Sequence, residues 1–391
     1  MELTTYMYSY KHFTCSVSVM FRHQETLSVD GVLDKLLHKT NAFASVSSYA
    51  PSSYALEYIA NVINAAFSFQ VMSSSYVHNR IEKVKSYQKQ LGMLKEHPVV
   101  EQRSEAWHNM RKNMVTASDF AQALGEGKFG TQKQFFQKKC GFEVEQFNSN
   151  IPPLKWGIMF ESVAADIYKS RNHVELYEFG LIPHPTLGYF GASPDGISSH
   201  GIMLEIKCPY KRKITGEIPV QYYYQIQGQL DVCQLEECDY LECEFVEYPS
   251  QGEFVDDVEH PYEKGIIVEY NNGINDVPAY KYSSIVKGMD KGIVTDVAAV
   301  QSLMNWHDQE VSKTNGYVTS HFWKLQIFNI VRVYRNQDFV EEKLELLGHV
   351  WDKVKEYQSD KELYTREVGA KRQAKAKANA NALAGYSFLP D

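Results

Sequence analysis

The sequence predicts an α/β (α+β) chain: a mixed central sheet flanked by helices, with a mainly helical N-terminal extension and a mixed C-terminal one. Three observations carry this. Several helix-length amphipathic segments precede a cluster of short β-like runs. One helical segment, Gln221–Val232, separates the strand-like runs Ile202–Lys207 and Tyr240–Val246. A second strand–helix series follows an acidic, turn-rich stretch at 249–263. Helices before a short sheet, with a helix between later strands, give a layered core because each element must bury its apolar face against another.

In chain order, Val29–Leu37 reads as a helix behind the capping Ser28. Residues 54–70 and 74–95 read as two more, separated by Ser73–Ser75 and stopped before Pro98. Their apolar periodicity predicts a packing layer. From about residue 101 the texture changes. Ser104–Lys112 reads as a helix, Thr116-Ala-Ser118-Asp119 caps a second that ends at Gly125, and a third covers about Leu154–Ser170. Strands are expected at Leu176–Ile182, Leu187–Gly191, Ile202–Lys207, Tyr240–Val246, Gly265–Tyr270 and near Leu325–Val333, and a helix from Phe339 to about Tyr357. Ala370–Ala384 is low-complexity Ala/Lys/Asn. The expected divisions are a helical extension at 1–100, a core at 101–248, a strand–helix part at 249–360 that completes or covers it, and a flexible tail at 361–391.

Composition bounds the function. At 391 residues, 44% hydrophobic and 23% charged, the chain is an ordinary globular sequence and not a disordered one. The longest apolar stretch, Tyr54 to Met72, is broken by Glu57, Asn61, Asn64, Ser68 and Gln70, so no membrane span is expected. Glu2 stands where a signal peptide carries positive charge, which predicts an intracellular, non-secreted protein. Six cysteines without a CxxC pair fit a reducing compartment. A net charge of −8 argues against broad adhesion to nucleic acid but leaves room for a local basic groove.

The chemistry concentrates at Gly191-Ala-Ser-Pro-Asp195-Gly196, followed by Leu204-Glu205-Ile206-Lys207-Cys-Pro209. Ser-Pro-Asp-Gly is turn chemistry that delivers the Asp195 carboxylate to the start of a strand. In Ile202–Lys207, alternation puts Ile202, Leu204 and Ile206 on one face and Met203, Glu205 and Lys207 on the other. Asp plus Glu-x-Lys is the minimum for a divalent-metal phosphodiesterase. Two carboxylates are hard ligands for Mg²⁺, which acts as a Lewis acid and lowers the pKa of a bound water. The lysine orients that water and offsets developing charge. Alone, this pattern is common by chance, where it is only a turn and a surface ion pair. Two neighbours change its weight. Glu161 sits at the edge of the apolar stripe of Met159, Phe160, Val163, Ala164 and Ile167. Tyr222, Gln225 and Gln229 share one i, i+3, i+7 helical ridge of neutral hydrogen-bonding groups, suited to holding a water or phosphate oxygen.

With SPDG, LEIKCP and YxxQIQ in that order, the chain resembles the PD-(D/E)xK nuclease superfamily, whose core is restriction-endonuclease-like. Within it, the resemblance is to the lambda exonuclease and YqaJ-type viral recombinase nucleases, including those of large eukaryotic DNA viruses. It covers about residues 101–248 and also takes in Gln102–Ser118 and Trp156–Glu161. The resemblance implies Asp195 and Glu205 as metal ligands with the Ile206 carbonyl, and Glu161 as a further acidic residue for a second metal or a metal-bound water. It implies Lys207 as the group that activates and orients the nucleophilic water, and Gln225 as its positioning partner. Arg111 and Ser118, with Trp107 a turn earlier, match the family's 5′-phosphate pocket, where arginine gives bidentate contact and a helix N-terminus oriented N–H groups.

The implied activity is a Mg²⁺-dependent exonuclease, with Mn²⁺ as a substitute, 5′→3′ on linear double-stranded DNA, in viral recombination, repair or genome processing. An endonuclease of the same fold, or a non-catalytic DNA-binding or assembly protein, stays open as an alternative. A single-strand-annealing partner and a homotrimer are implied by analogy only. Host cytoplasm, nucleus and virion remain open as locations. Tyr222 and the basic run Lys211, Arg212 and Lys213 beside Lys207 are expected to line the DNA path. Cys140, Cys233, Cys238 and Cys243 are not expected to hold an iron–sulfur cluster, because five-residue steps through a strand alternate faces and a close cysteine pair is missing.

Overall fold

A seven-stranded mixed sheet organises the chain, and its one parallel step carries the chemistry-bearing strand. The computed structural model describes residues 34, 74–98, 100, 104–142, 151–258, 263–273, 278–286 and 297–368. The helix read at 54–70 and the Ala/Lys/Asn tail lie outside these residues, and of the helix read at Val29–Leu37 only Asp34 lies within them.

The first elements are α1 (Ser74–Lys95), α2 (Glu105–Lys112), β1 (Val115–Thr116), a 3-10 turn (Ala117–Asp119), α3 (Phe120–Ala123), α4 (Gln132–Cys140) and α5 (Pro152–Asn172). Five short strands follow: β2 (Leu176–Tyr177), β3 (Ile182–Pro183), β4 (Phe190–Ala192), β5 (Gly196–Ser198) and β6 (Met203–Lys207). Then come α6 (Val220–Cys233), β7 (Glu237–Glu247), α7 (Gln251–Asp256), β8 (Lys264–Asn271) and β9 (Pro278–Tyr282). Last come α8 (Val297–Lys313), β10 (Tyr317–Tyr334) and α9 (Gln337–Ser359), after which residues 361–368 are again helical.

The sheet order is β2-β5-β6-β7-β10-β8-β9. Among the described strands of this sheet only β6 and β7 pair in parallel, Glu205 opposite Tyr240 and Lys207 opposite Glu242. A parallel pair needs a crossover, which α6 supplies. The 18-residue β10 pairs with β8 through its first half and β7 through its second, so the C-terminal strands extend the same sheet.

Both faces of the sheet are covered. On one, α5 buries Met159, Phe160, Val163, Ala164 and Ile167 against Leu204, Ile206, Leu241 and Phe245. On the other, Met203, Cys238 and Tyr240 pack with residues of α3, α4, α6 and α9. The alternation read in β6 therefore holds, but its second face is not open to solvent: Met203 through Ile206 are all buried.

Two sequence expectations need adjustment, and one helix went unread. The run Leu176–Ile182 is two strands, β2 in the main sheet and β3 in a small β1-β4-β3 sheet. Between them Gly180 passes so close to the chain that a Cβ would lie 1.7 Å from the Val100 carbonyl oxygen. Helix α4 gave no amphipathic signal because Phe135 and Phe136 are its buried apolar pair. The Thr131–Gln134 capping box and the left-handed Gly141 define its ends instead. The helix expected to end at Gly125 is a 3-10 turn followed by the four-residue α3, and Thr116 makes no side-chain capping bond.

Candidate active site

Asp195 leaves the Ser-Pro-Asp-Gly turn between β4 and β5, and its Oδ2 accepts the Ile206 amide at 2.7 Å. That bond pins the turn to β6, next to Glu205. The Glu205 carboxylate is fully buried. Its Oε1 accepts from the Lys207 ammonium and from Gln225 Nε2 at 2.6 Å, and its Oε2 accepts from Gln229 Nε2 at 2.8 Å. Tyr222, on the same ridge of α6, places its ring 4.9 Å from Lys207 Nζ. The predicted ridge is therefore real. Two of its glutamine N–H donors are directed at Glu205, while Gln229 Oε1 is buried without a partner.

Electrostatics explain the arrangement. Burial pushes the Asp195 carboxyl well above the usual carboxylate range, and the charges of Glu205 and Glu161 push it further. Burial works against the Lys207 ammonium, but Glu205 and Asp195 outweigh it and raise its pKa. Two close carboxylates need a cation, and Lys207 is the one the chain itself supplies. Glu161 lies on the exposed side of α5. It is close enough to act on Asp195 but does not complete a three-acid cluster: among the described residues no group of three or more His, Cys, Asp or Glu side chains could hold a metal.

Next to this lies a second polar cluster. Ser104 caps α2, and Arg111 near its end lays its guanidinium 4.4 Å from the Trp107 ring centre. Arg111 Nη2 donates to Ser118 Oγ at 3.3 Å, and Ser118 Oγ lies 3.0 Å from Thr116 Oγ1. Beneath them, buried Lys139 donates to the Arg111 and Met114 carbonyls at 2.9 and 2.7 Å and pairs with Asp119 at 2.9 Å. The predicted trio of Trp107, Arg111 and Ser118 does come together. A long helix N-terminus behind Ser118 does not, because the helical pieces there are three and four residues.

Gly228 brings the two clusters side by side. A Cβ there would stand 2.9 Å from the Phe190 ring, 3.1 Å from Phe120 and 3.3 Å from Ala117, so only glycine lets the 3-10 turn rest on α6.

Residues 106–236 match the YqaJ-like viral recombinase domain. The match encloses Trp107, Arg111, Ser118, Glu161, Asp195, Glu205, Lys207 and Gln225. An uncharacterised protein of Acanthamoeba polyphaga mimivirus is 29% identical over 309 residues, which are 69% of this chain and 56% of that protein. A protein of African swine fever virus is 27% identical over 159 residues, 33% of this chain and 46% of the viral protein. The matched segment thus spans about half the length of these relatives. An alkaline exonuclease from Laribacter hongkongensis overlays at a TM-score of 0.40 with 18% identity, covering 68% of this chain and 99% of that one.

Within the YqaJ-like segment the basic run divides. Lys211 and Lys213 are exposed, with Lys211 Nζ 5.2 Å from the Tyr210 ring centre. Arg212 instead turns inward to the buried Glu242, which also accepts from Tyr240 Oη at 2.9 Å. Its charge is thereby committed within the protein. Cys238 and Cys243 belong to the cores on opposite faces of the sheet.

The buried Lys139–Asp119 pair of the YqaJ-like segment has a measurable acid signature. Burial raises the Asp119 carboxyl, but Lys139 and Lys138 outweigh it and hold it at about 2. Because the folded value lies below the unfolded one, its stabilisation is fully present above about pH 4 and is lost as pH falls through about 2. The shift corresponds to about 2 kcal/mol. Urea unfolding of wild type and Asp119→Asn across this range should show their stability gap shrinking by that amount; a pH-independent gap would refute the pairing.

Proposed function

We propose that this chain is a metal-dependent deoxyribonuclease, an exonuclease that degrades linear double-stranded DNA from its 5′ end, acting in viral DNA recombination, repair or genome processing. The observation that carries the reading is the convergence of Asp195, Glu205, Lys207 and Gln225 on one face of β6, beside the Trp107–Arg111–Ser118 cluster. The YqaJ-like viral recombinase match over the same residues supports it.

The donor set suits a divalent cation, Mg²⁺ with Mn²⁺ as a substitute. Asp195 and Glu205 would hold it with the Ile206 carbonyl, and Glu161 would stand by as a further acid. Two features favour this. Burial and, after it, the charges of Glu205 and Glu161 raise the Asp195 carboxyl, so further positive charge would be welcome there. Nearby, Gln229 Oε1 and Ser193 Oγ are buried without a hydrogen-bond partner, as expected beside a hydrated ion. When bound, the ion supplies Lewis acidity and lowers the pKa of a coordinated water.

The rest follows from the side chains. Gln225 and Gln229 fix the Glu205 carboxylate so that it cannot rotate away. Lys207, kept cationic by its neighbours, orients the attacking water and offsets charge building on the phosphoryl oxygens. Arg111 offers a planar guanidinium, braced by the Trp107 ring, to a terminal phosphate, and Ser118 adds a hydroxyl. Recognition of a terminal phosphate restricts cleavage to ends.

The test is Mg²⁺-dependent degradation of end-labelled linear duplex against a closed circle. The linear DNA should be lost progressively, faster with a 5′-phosphate than with a 5′-hydroxyl. The circle should persist, and Lys207→Ala should lose at least about 10²–10³-fold in rate. Cutting of the circle by wild type would make the enzyme an endonuclease. No cleavage with either metal would make it a binding protein.

A further inference from the structure

Beside the site, one aromatic side chain is held where folding gains little from it. Phe129 is 76% exposed, more than any other large apolar residue among the described ones. It stands in the 125–131 loop between α3 and α4, and that loop is well anchored. The Glu126 amide donates to the Ala121 carbonyl at 2.8 Å, Gln122 Nε2 to the Thr131 carbonyl at 3.1 Å, and Gln132 Nε2 to the Ala123 carbonyl at 2.7 Å. A Cβ at Gly130 would fall 2.3 Å from Gln122 Nε2, so the backbone wraps closely over that side chain. The ring is thus displayed on a braced backbone.

What the ring faces gives the exposure a direction. Its centre lies 6.0 Å from that of Tyr222, with the planes at 40°. The Tyr222 ring in turn lies 4.9 Å from Lys207 Nζ and 5.9 Å from the Arg212 guanidinium. An aromatic surface therefore runs outward from the proposed point of cleavage, one ring beyond Lys207, with the exposed Lys128 adjoining Phe129. Single exposed apolar side chains are ordinary. One that is braced and continuous with a ring over the catalytic ammonium is not.

We propose that Phe129 is a base-stacking residue: with Tyr222 it forms an aromatic platform that takes the face of an unpaired nucleobase in the DNA strand being cut. This rests on the nuclease reading and names a contact within it. A nucleotide combines a flat π-face with an anionic phosphate, and the platform offers rings beside cations at matching places. Stacking is tolerant of sequence because every base has such a face, which suits an enzyme that must pass along any DNA. The platform also holds the strand by a contact that survives loss of each terminal phosphate.

The experiment measures binding by the full chain carrying Lys207→Ala, so that the DNA is not consumed. Duplexes with a two-nucleotide 5′ overhang are compared with the same duplexes made abasic in the overhang, and 2-aminopurine in the overhang reports stacking. Adding Phe129→Ala should weaken binding to the base-bearing overhang by about tenfold or more, leave the abasic duplex unaffected, and abolish the 2-aminopurine quench. Phe129→Trp should restore both affinity and quench. Equal affinity of Phe129 and Phe129→Ala proteins for the base-bearing duplex, or an equal loss on both duplexes, would overturn the proposal and leave the nuclease reading standing. Failure of the folded parent to bind any DNA would overturn both.

Discussion

Replacing Asp195 by asparagine should cut the rate of linear-duplex degradation by about 10³-fold or more while leaving the metal-free protein at least as stable as wild type. The two halves of this result have one cause. Asp195 shares a buried corner with Glu205 and feels Glu161, and like charges brought together out of water oppose folding. An amide of nearly the same shape keeps an oxygen to accept the Ile206 amide and removes one of the repelling charges. Under the proposed function the same change takes away a hard anionic ligand for the cation. Melting temperature with and without Mg²⁺ separates these effects. Wild type should melt higher as Mg²⁺ is added, because an ion that binds only the folded state stabilises it by mass action. Asp195→Asn should show little such rise. A variant that melts well below wild type in chelator would mean that Asp195 is held for packing and not for charge. A variant that keeps full activity would remove the carboxylate from the mechanism.

The centre of this site was legible in the sequence because its residues are local. Asp195, Glu205 and Lys207 lie on one turn and one strand, where period-two alternation fixes the facing side chains. Gln225 and Gln229 lie on one helical ridge, and helical spacing alone puts them together. What the ridge bonds to was not legible, since a helix face says nothing about the strand beneath it. The same limit hid Lys139: its partner Asp119 sits twenty positions away, and α4 carries too few apolar residues to announce itself. Arg212 read as a free cation because its partner, Glu242, lies on the strand reached only after the α6 crossover. The fold class was readable from the order of helices and strands. The joining of β8, β9 and β10 to the same sheet was not, because strand pairing across long separations leaves no local signature.

Arg80→Ala should lower the free energy of unfolding by about 3–5 kcal/mol, the range found when one member of a buried ion pair is removed. Arg80 projects from α1 with 2% of its side chain exposed. It bonds both oxygens of Asp34 at 2.8 and 2.7 Å, and meets both oxygens of Glu237 on β7. Glu237 also accepts from Tyr87 Oη at 3.0 Å and from Arg332 on β10. Arg332 in turn grips Asp239, whose other oxygen accepts Tyr168 Oη from α5 at 2.6 Å. Two guanidiniums thus serve three buried carboxylates, and removing one leaves Asp34 and Glu237 to a single arginine. The deficit is a charge imbalance and not a lost volume, so Arg80→Met should fail to restore stability even though it fills the space. Arg80→Met combined with Glu237→Gln should recover part of the loss, since it removes a stranded charge with its partner. Urea unfolding of the four proteins gives the answer directly. Limited proteolysis should show α1 as the first segment released in Arg80→Ala, because this cluster is what ties α1 to the sheet. A stability loss below about 1 kcal/mol would instead mean that apolar contacts such as those of Leu91 and Leu94 hold the helix, with the ion cluster contributing little.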